Sequence, residues 1–313
     1  MRSHGGDSTN AWTVAILVAL VLLAPLPLLV HRDDVLNFVL LVLLSITMAQ
    51  SWNIIAGYAG QVNLGHAAFF GLGALTARTL WIGGTPVLLA TAAGALVAAA
   101  FALLIGAPAF RLRGAYFAIG TLALGEILRA TIGNVLPEIS TLPATTIAGY
   151  RLSQRYYLAL ALAAISVLAV AALAGSRLGL GMQAIREDED AAEASGVGAL
   201  GLKLRALALS TALAGAAGGL FAYYHISYYP SHPFGPQWTF EALLMTFIGG
   251  VGTLQGPVLG AVLYVFLKEY LTVRWVDFHL LIFGVLFIAI VLIFPGGLVQ
   301  AVEGARRHLG VRS

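Results

Sequence analysis

The chain has 313 residues, 59% hydrophobic and only 10% charged, with a mean hydropathy of +0.90. A water-facing surface usually takes about a quarter charged residues, so a soluble globular domain is excluded and a bilayer is the expected solvent. With no cysteine there is no disulfide, thiol chemistry or cysteine-ligated metal, and a net charge of +3 reads as loop charge of a membrane protein, not a nucleic-acid surface.

A polar start, MRSHGGDSTN, precedes the apolar run Trp12–Val30. That run is long enough to span a bilayer. The bulky Leu28-Leu29-Val30-His31 offers no small-residue cleavage site, so a first transmembrane helix is expected and not a signal peptide. Further spans are expected at Val35–Ala56, Ala67–Ile82, Val87–Ala107, Ala115–Asn134, Tyr156–Gly175, Leu204–Tyr228, Phe240–Val251, Pro257–Tyr270 and His279–Phe294. The fold class is therefore all-α, a polytopic helix bundle of about ten spans, some short or broken. The short pair around Gly249, Gly250 and Gly252 can also be read as one re-entrant element. Residues 1–313 form a single transmembrane domain, with 176–203 as its one long polar loop.

Between the second and third spans lies GYAGQVNLGH, residues 57–66. Gly57, Gly60 and Gly65 permit a helix break, while Gln61, Asn63 and His66 offer neutral donors and acceptors. Broken helices present backbone to solutes in transporters, and irregular backbone at membrane depth is tolerated where it lines a cavity or is buried in protein. Gln50 and Asn53 carry polar character into the preceding span, which favours a pathway-lining segment over an ordinary cytoplasmic-side turn. The break from Gly249 through Gly250 and Gly252 to Pro257 is its counterpart in the second half. Inverted repeats would account for such a pair, but the halves are too dissimilar in sequence to show them.

Placing the N-terminus in the cytoplasm puts Arg2, Arg111, Arg113, Arg177, Arg186, Lys203, Arg205, Arg306, Arg307 and Arg312 on the cytoplasmic side. Arg32, Arg151, Arg155 and Arg274 then lie outside, and an even span count returns the C-terminus to the cytoplasm. Within the spans, Glu126 and Arg129 lie three apart and can pair. Locking the bundle is the favoured role, with substrate contact as the alternative. Arg78 is expected to snorkel to the outer interface, and Glu241 to favour the start of its helix. Tyr223, Tyr224, Tyr228, Tyr229 and Trp238 read as an outer aromatic belt, or else as a gate.

The polar loop holds GMQAIREDEDAAEASG, residues 181–196, helix-prone and stopped by Gly196. One short charged helix between two spans is either a docking element or a solvated connection. No G-x-x-x-x-G-K-[ST] motif exists; the only lysines, Lys203 and Lys268, lie elsewhere. H-E-x-x-H and G-x-S-x-G are absent, and His31, His66, His225, His232 and His279 have no metal-ligand spacing. An enzyme is thus disfavoured. A secondary transporter or channel would need a mid-membrane carboxylate, for which Glu126 is the one good candidate.

The runs GYAGQVNLGHAAFFGLGA (57–74), RLRGAYFAIGTLALGEILR (111–129), GLGMQAIREDEDAAEASGV (179–197) and FIGGVGTLQGPVLGA (247–261) resemble, in order, the LivM-type branched-chain amino acid permeases of ABC importers. The resemblance extends from about Val35 to Pro295. It implies a non-enzymatic permease of a bacterial-type inner membrane, forming half of a translocation pathway. Implied partners are a homologous permease, two ATPases carrying ATP-Mg, and an external binding protein that sets most selectivity; this chain itself holds no cofactor. Arg186, Glu187, Asp188, Glu189, Asp190, Ala191, Ala192 and Gly196 would then form the loop that fits a cleft on an ATPase. The implied substrate is a branched-chain or similar hydrophobic amino acid, with urea or a short amide as the alternative. One departure stands out. TIGNVLPEISTLPATTIAGYRLSQR (131–155) lacks the paired glycines of the family's outer loop, which puts receptor contacts and substrate identity in doubt.

Overall fold

A computed structural model describes residues 4–30, 32–274, 284–285 and 297–299. The predicted span His279–Phe294 and the charges Arg2, Arg306, Arg307 and Arg312 lie outside the described residues, apart from residues 284–285 of that span. The order of helices is α1 His4–Leu23, α2 Leu26–Leu29, α3 Asp33–Trp52, α4 His66–Ile82, α5 Val87–Ala109, α6 Ala115–Val135 and α7 Ala144–Ala148. Then follow α8 Leu152–Ala174, α9 Arg177–Glu187, α10 Glu189–Ala194, α11 Ala199–Tyr224, α12 Gln237–Gly249 and α13 Gln255–Arg274. An antiparallel ladder joins β1 Ser140–Thr141 to β2 Ser227–Tyr228.

Among the described residues, six segments are long and apolar enough to cross a membrane by composition: Ala11–Leu29, Asp33–Tyr58, Val87–Ala109, Ala115–Val135, Leu152–Ala174 and Ala199–Tyr224. The first is interrupted where Pro25 parts α1 from α2, because proline cannot donate to the preceding turn. Helix α12 has only 13 residues, about 20 Å of rise against a hydrocarbon core of about 30 Å. Part of the missing depth is filled by chain folded inward before it, where the buried ring of Phe234 packs on Gly71.

The centre of the bundle is α11, packed between α4 and α5 and close to α3. Glycine makes this possible. A Cβ on Gly73 would collide with the Gly215 backbone, one on Gly94 with Gly73, and one on Gly218 with the carbonyl of Phe70. Backbones approach at these points as small residues allow in lipid. Helix α5 shows the same logic by face. Ala90, Gly94, Ala98, Ala102 and Gly106, each four apart, are buried, while Leu88, Leu89, Leu96, Leu103 and Leu104 are exposed toward lipid or a partner.

One end of the bundle is closed by two arginines. Arg78 was expected to snorkel; instead it is 2% exposed and donates five hydrogen bonds, to Ser140 Oγ and the carbonyls of Ser140, Ala222, His225 and Ile226. The end of α11 leaves carbonyls unsatisfied, and a guanidinium fork can cap several at once. Arg155 is equally buried, donating to the Tyr223 carbonyl and stacking on Tyr150 and Tyr223. The expected aromatic belt is largely an internal cluster: Tyr223 and Tyr228 are buried, Trp238 stacks on Phe70 at 4.7 Å, and Tyr229 alone of the two at 228–229 is exposed. Glu241 does not cap its helix. It lies a full turn inside α12 and pairs with Lys268 of α13 at 2.6 Å.

Candidate functional site

At the opposite end, the two glycine-bearing breaks meet. Helix α3 passes into a wider π-turn over Asn53–Tyr58, and the chain then turns at Gly60, whose φ is +70°. The segment 59–65 is irregular until α4 starts at His66. The break between α12 and α13 runs through Gly250 and Gly252, with φ of +136° and +79°. Helices α3 and α12 both end at this junction.

Side-chain amides stitch them together. Asn53 donates to the Thr253 carbonyl at 2.9 Å and accepts from the Gly252 amide at 2.8 Å. Gln50 donates to the Leu254 carbonyl at 2.7 Å, and Thr246 reaches the Ala49 carbonyl at 3.1 Å. An amide side chain pairing with a broken backbone replaces the ladder that the break removes.

The rest of 57–66 is latched directly to α3 and α6, with α11 and α12 bracing Ser51 and Ala67 beside it. Trp52 donates to the Asn63 carbonyl at 2.9 Å, and Asn63 Oδ1 accepts from the Gly65 amide at 2.9 Å. His66 Nε2 lies 2.8 Å from Ser51 Oγ, and Ser210 of α11 donates to the Ser51 carbonyl at 2.6 Å. Thr121 of α6 accepts from the Leu64 amide, and Thr239 of α12 from the Ala67 amide. Gly65 has no room for a Cβ against the Thr121 carbonyl. Of the nine residues singled out in the two breaks, Gly57, Asn63, Gly65, His66, Gly249 and Gly250 are buried, Gln61 and Gly252 are half-buried, and Gly60 is exposed. Val62, not singled out from the sequence, is exposed between them. Gln50 Oε1, Asn63 Nδ2 and His66 Nδ1 are buried with no protein partner, sites where ordered water is expected.

The polar loop folds beside this junction. The sequence predicts one helix here; the structure has two, α9 and α10, divided at Asp188. That residue is extended, and its carboxylate accepts from the Ala191 amide at 3.0 Å, so it caps α10 instead of continuing α9. Beneath them Ile185, Ala192 and Ala199 form a small core of their own, flanked by Val197 and Leu202. Glu189 turns inward to Lys203 at 2.5 Å; the lysine is 2% exposed. Asp190 pairs with Arg113 of the α5–α6 turn at 3.1 Å. That hydrogen bond, then the charges of Asp190 and Glu189, hold the Arg113 guanidinium above its ordinary value. Glu187, Ala191 and Glu193 remain on the outer surface, and Gly196 ends α10 with a φ of +87°.

Arg186, the last basic residue of α9, is exposed like them, yet its side chain also reaches the junction. Its guanidinium donates to the carbonyl of Gly57 and lies against Gly252. The expected Glu126–Arg129 pair forms at 2.7 Å, but it does not lock the bundle: both side chains are more than a third exposed on the outward face of α6. The buried side of α6 is the narrow stripe Phe117, Thr121 and Gly125.

Among the described residues, no group of histidines and acids could hold a metal. Residues 35–291 match the family described as branched-chain amino acid transport system / permease component. The chain is 30% identical to the high-affinity branched-chain amino acid transport system permease protein LivM of Escherichia coli, over 93% of this chain and 76% of that protein. The protein of the same name in Salmonella typhimurium is 28% identical over the same shares. A probable branched-chain amino acid transport permease protein LivM of Methanocaldococcus jannaschii is 24% identical over 68% of this chain and 67% of that protein. No solved structure matches the chain.

Proposed function

The chain belongs to the branched-chain amino acid transport permease family, and from that premise we propose that it forms half of the pathway of an ATP-driven importer for branched-chain or similar hydrophobic amino acids. It is a multi-pass permease subunit. A homologous permease, two ATPases that bind ATP-Mg, and an external binding protein complete the complex. The chain carries no covalent chemistry of its own.

The observation that carries this reading is the folded loop of α9 and α10. A merely solvated connection would need neither a private core nor a buried Lys203–Glu189 pair. Such a loop instead offers a rigid knob whose outer residues, Glu187, Ala191 and Glu193, are free for an ATPase cleft. Arg111, Arg113, Arg177, Arg186 and Arg205 belong to the loops and helix ends on this side, which supports a cytoplasmic placement with the N-terminus on the same side. Closure of the ATPases would move this knob, and the two permeases would rock about the pathway between them. We assign Gly60, Gln61 and the outward face of α6 to the pathway surface, and Asn63, Gly65, His66, Gly249, Gly250 and Gly252 to holding the breaks in shape. A secondary transporter is less well supported, because its one carboxylate candidate, Glu126, is already paired and faces outward.

Affinity purification from native membranes in mild detergent tests the reading. An ATPase pair, a second permease and a soluble receptor are expected to accompany the tagged chain, and the receptor to bind leucine, isoleucine or valine in preference to urea. A chain that emerges alone would sink the importer assignment. Purified by itself, it is expected to hydrolyse no ATP.

A further inference from the structure

The position of Arg186 is unusual for its sequence neighbourhood. Four acids, Glu187, Asp188, Glu189 and Asp190, follow it. Arg186 makes no ion pair among the described residues, while Glu189 and Asp190 are taken by Lys203 and Arg113. Its guanidinium reaches away from the acids to the carbonyl of Gly57. That carbonyl belongs to the end of the α3 helix, where the last carbonyls have no helical donor. The Ile54 and Ile55 carbonyls find the amides of Ala59 and Gln61; Gly57 finds Arg186.

The same guanidinium lies on Gly252, just past the end of α12; a Cβ there would strike Nη1. Its stem and backbone lie on Gly60, where a Cβ would come within 3.0 to 3.2 Å of Arg186 Cα, Cγ and Cβ. A cation thus sits between the C-terminal ends of two helices, both carrying partial negative charge. Asn53 and Gln50 already bind 252–254 to α3. The two breaks therefore form one block, and Arg186 ties that block to the loop.

We propose that Arg186 is a positioning residue that transmits movement of the α9–α10 loop to both helix breaks at once, through Gly57 and Gly252, beyond any contact its exposed side makes with an ATPase. This rests on the permease reading above. The chain from Arg186 continues through Trp52 to Asn63 and through Ser51 to His66, so displacement at the loop reaches the start of α4.

The test is the whole complex in proteoliposomes, comparing wild type with Arg186→Gln, Arg186→Lys and Gly252→Ala. ATPase retention, receptor-stimulated ATP hydrolysis, uptake and melting temperature are measured for each. Arg186→Gln is expected to keep its ATPases and hydrolyse ATP, while uptake per ATP falls on the order of tenfold, the weight of one charge-assisted hydrogen bond. Lysine should restore part of that ratio, since it can reach one carbonyl but cannot also spread over Gly252. Gly252→Ala displaces the guanidinium and, at a φ of +79°, also strains the second break, so it should uncouple at least as strongly and with a lower melting temperature. An unchanged ratio in both Arg186→Gln and Gly252→Ala overturns the proposal. So does loss of the ATPases from Arg186→Gln, which would make Arg186 a docking contact. A wild-type chain that binds no ATPase fails the permease reading itself, a separate result.

Discussion

Arg78 shows what one buried cation does here. Its five hydrogen bonds gather the ends of α4 and α11 and the short ladder into one closure. Lysine offers a point charge and cannot make the forked pattern. Arg78→Lys is expected to cost about 3 kcal/mol, the usual scale for leaving carbonyls of a buried charged network unpaired, read as a lower melting temperature in detergent. Gly65 makes a different demand. Its α-hydrogen points at the Thr121 carbonyl, which is backbone and cannot swing aside for a Cβ. Gly65→Ala should therefore push α6 from α4 and lower both stability and uptake, whereas Gly125→Ala on the facing helix, whose Cβ would meet Gly65 Cα only at an ordinary 3.5 Å, should keep the melting temperature better. Equal melting of the two variants would show that the α4–α6 approach is not tight. Glycines at these places could be read from the sequence, because only glycine tolerates the turn at Gly60. The partners of Arg78 could not. They are carbonyls far along the chain, and a carbonyl leaves no mark on residue identity.

At the scale of elements, the polar loop behaves as a small domain. Lys203 is buried, so its charge is tolerable only with Glu189 beside it. Glu189→Gln leaves that ammonium with a neutral partner, and hydrogen exchange at 189–196 should rise while α11 stays protected. The paired change Glu189→Leu with Lys203→Met is expected to recover protection, since an apolar pair of similar volume can replace a buried ion pair. Fast exchange spreading into α11 would mean the loop is not a separate unit. The position and helical character of this element were legible from its alanines and acids. Its division was not, although Asp188 followed by Glu-Asp-Ala is a recognisable cap: a run of acids reads equally as helix interior, and only the extended backbone at Asp188 decides. In the same way Gln50 and Asn53 were legible as polar within a span, but their partners at 252–254 lie some two hundred residues on. The π-turn that aims them has no sequence signature.

Across the whole molecule, the outward face of α6 is the place where this chain looks incomplete. Tyr116, Ile119 and Ile127 are exposed there, as bilayer or protein contact would allow, yet Glu126 and Arg129 share the face a little past the middle of the helix. A charge at the centre of a span costs about 2.5–3.5 kcal/mol against lipid, and pairing offsets only part of this. A face that carries both charges is better matched to water or to a second permease than to acyl chains. The consequence separates stability of the chain from function of the complex. Replacing both residues, Glu126→Leu with Arg129→Leu, removes an exposed pair worth about 0–1 kcal/mol within the isolated chain, so its melting temperature should hold or rise slightly. Uptake by the assembled importer should fall, through a changed pathway or a weakened permease pair, and co-purification of the second permease tells which. If uptake and assembly both stay at wild-type levels, this face meets only lipid, and the pathway must be sought along Gly60 and Gln61 alone.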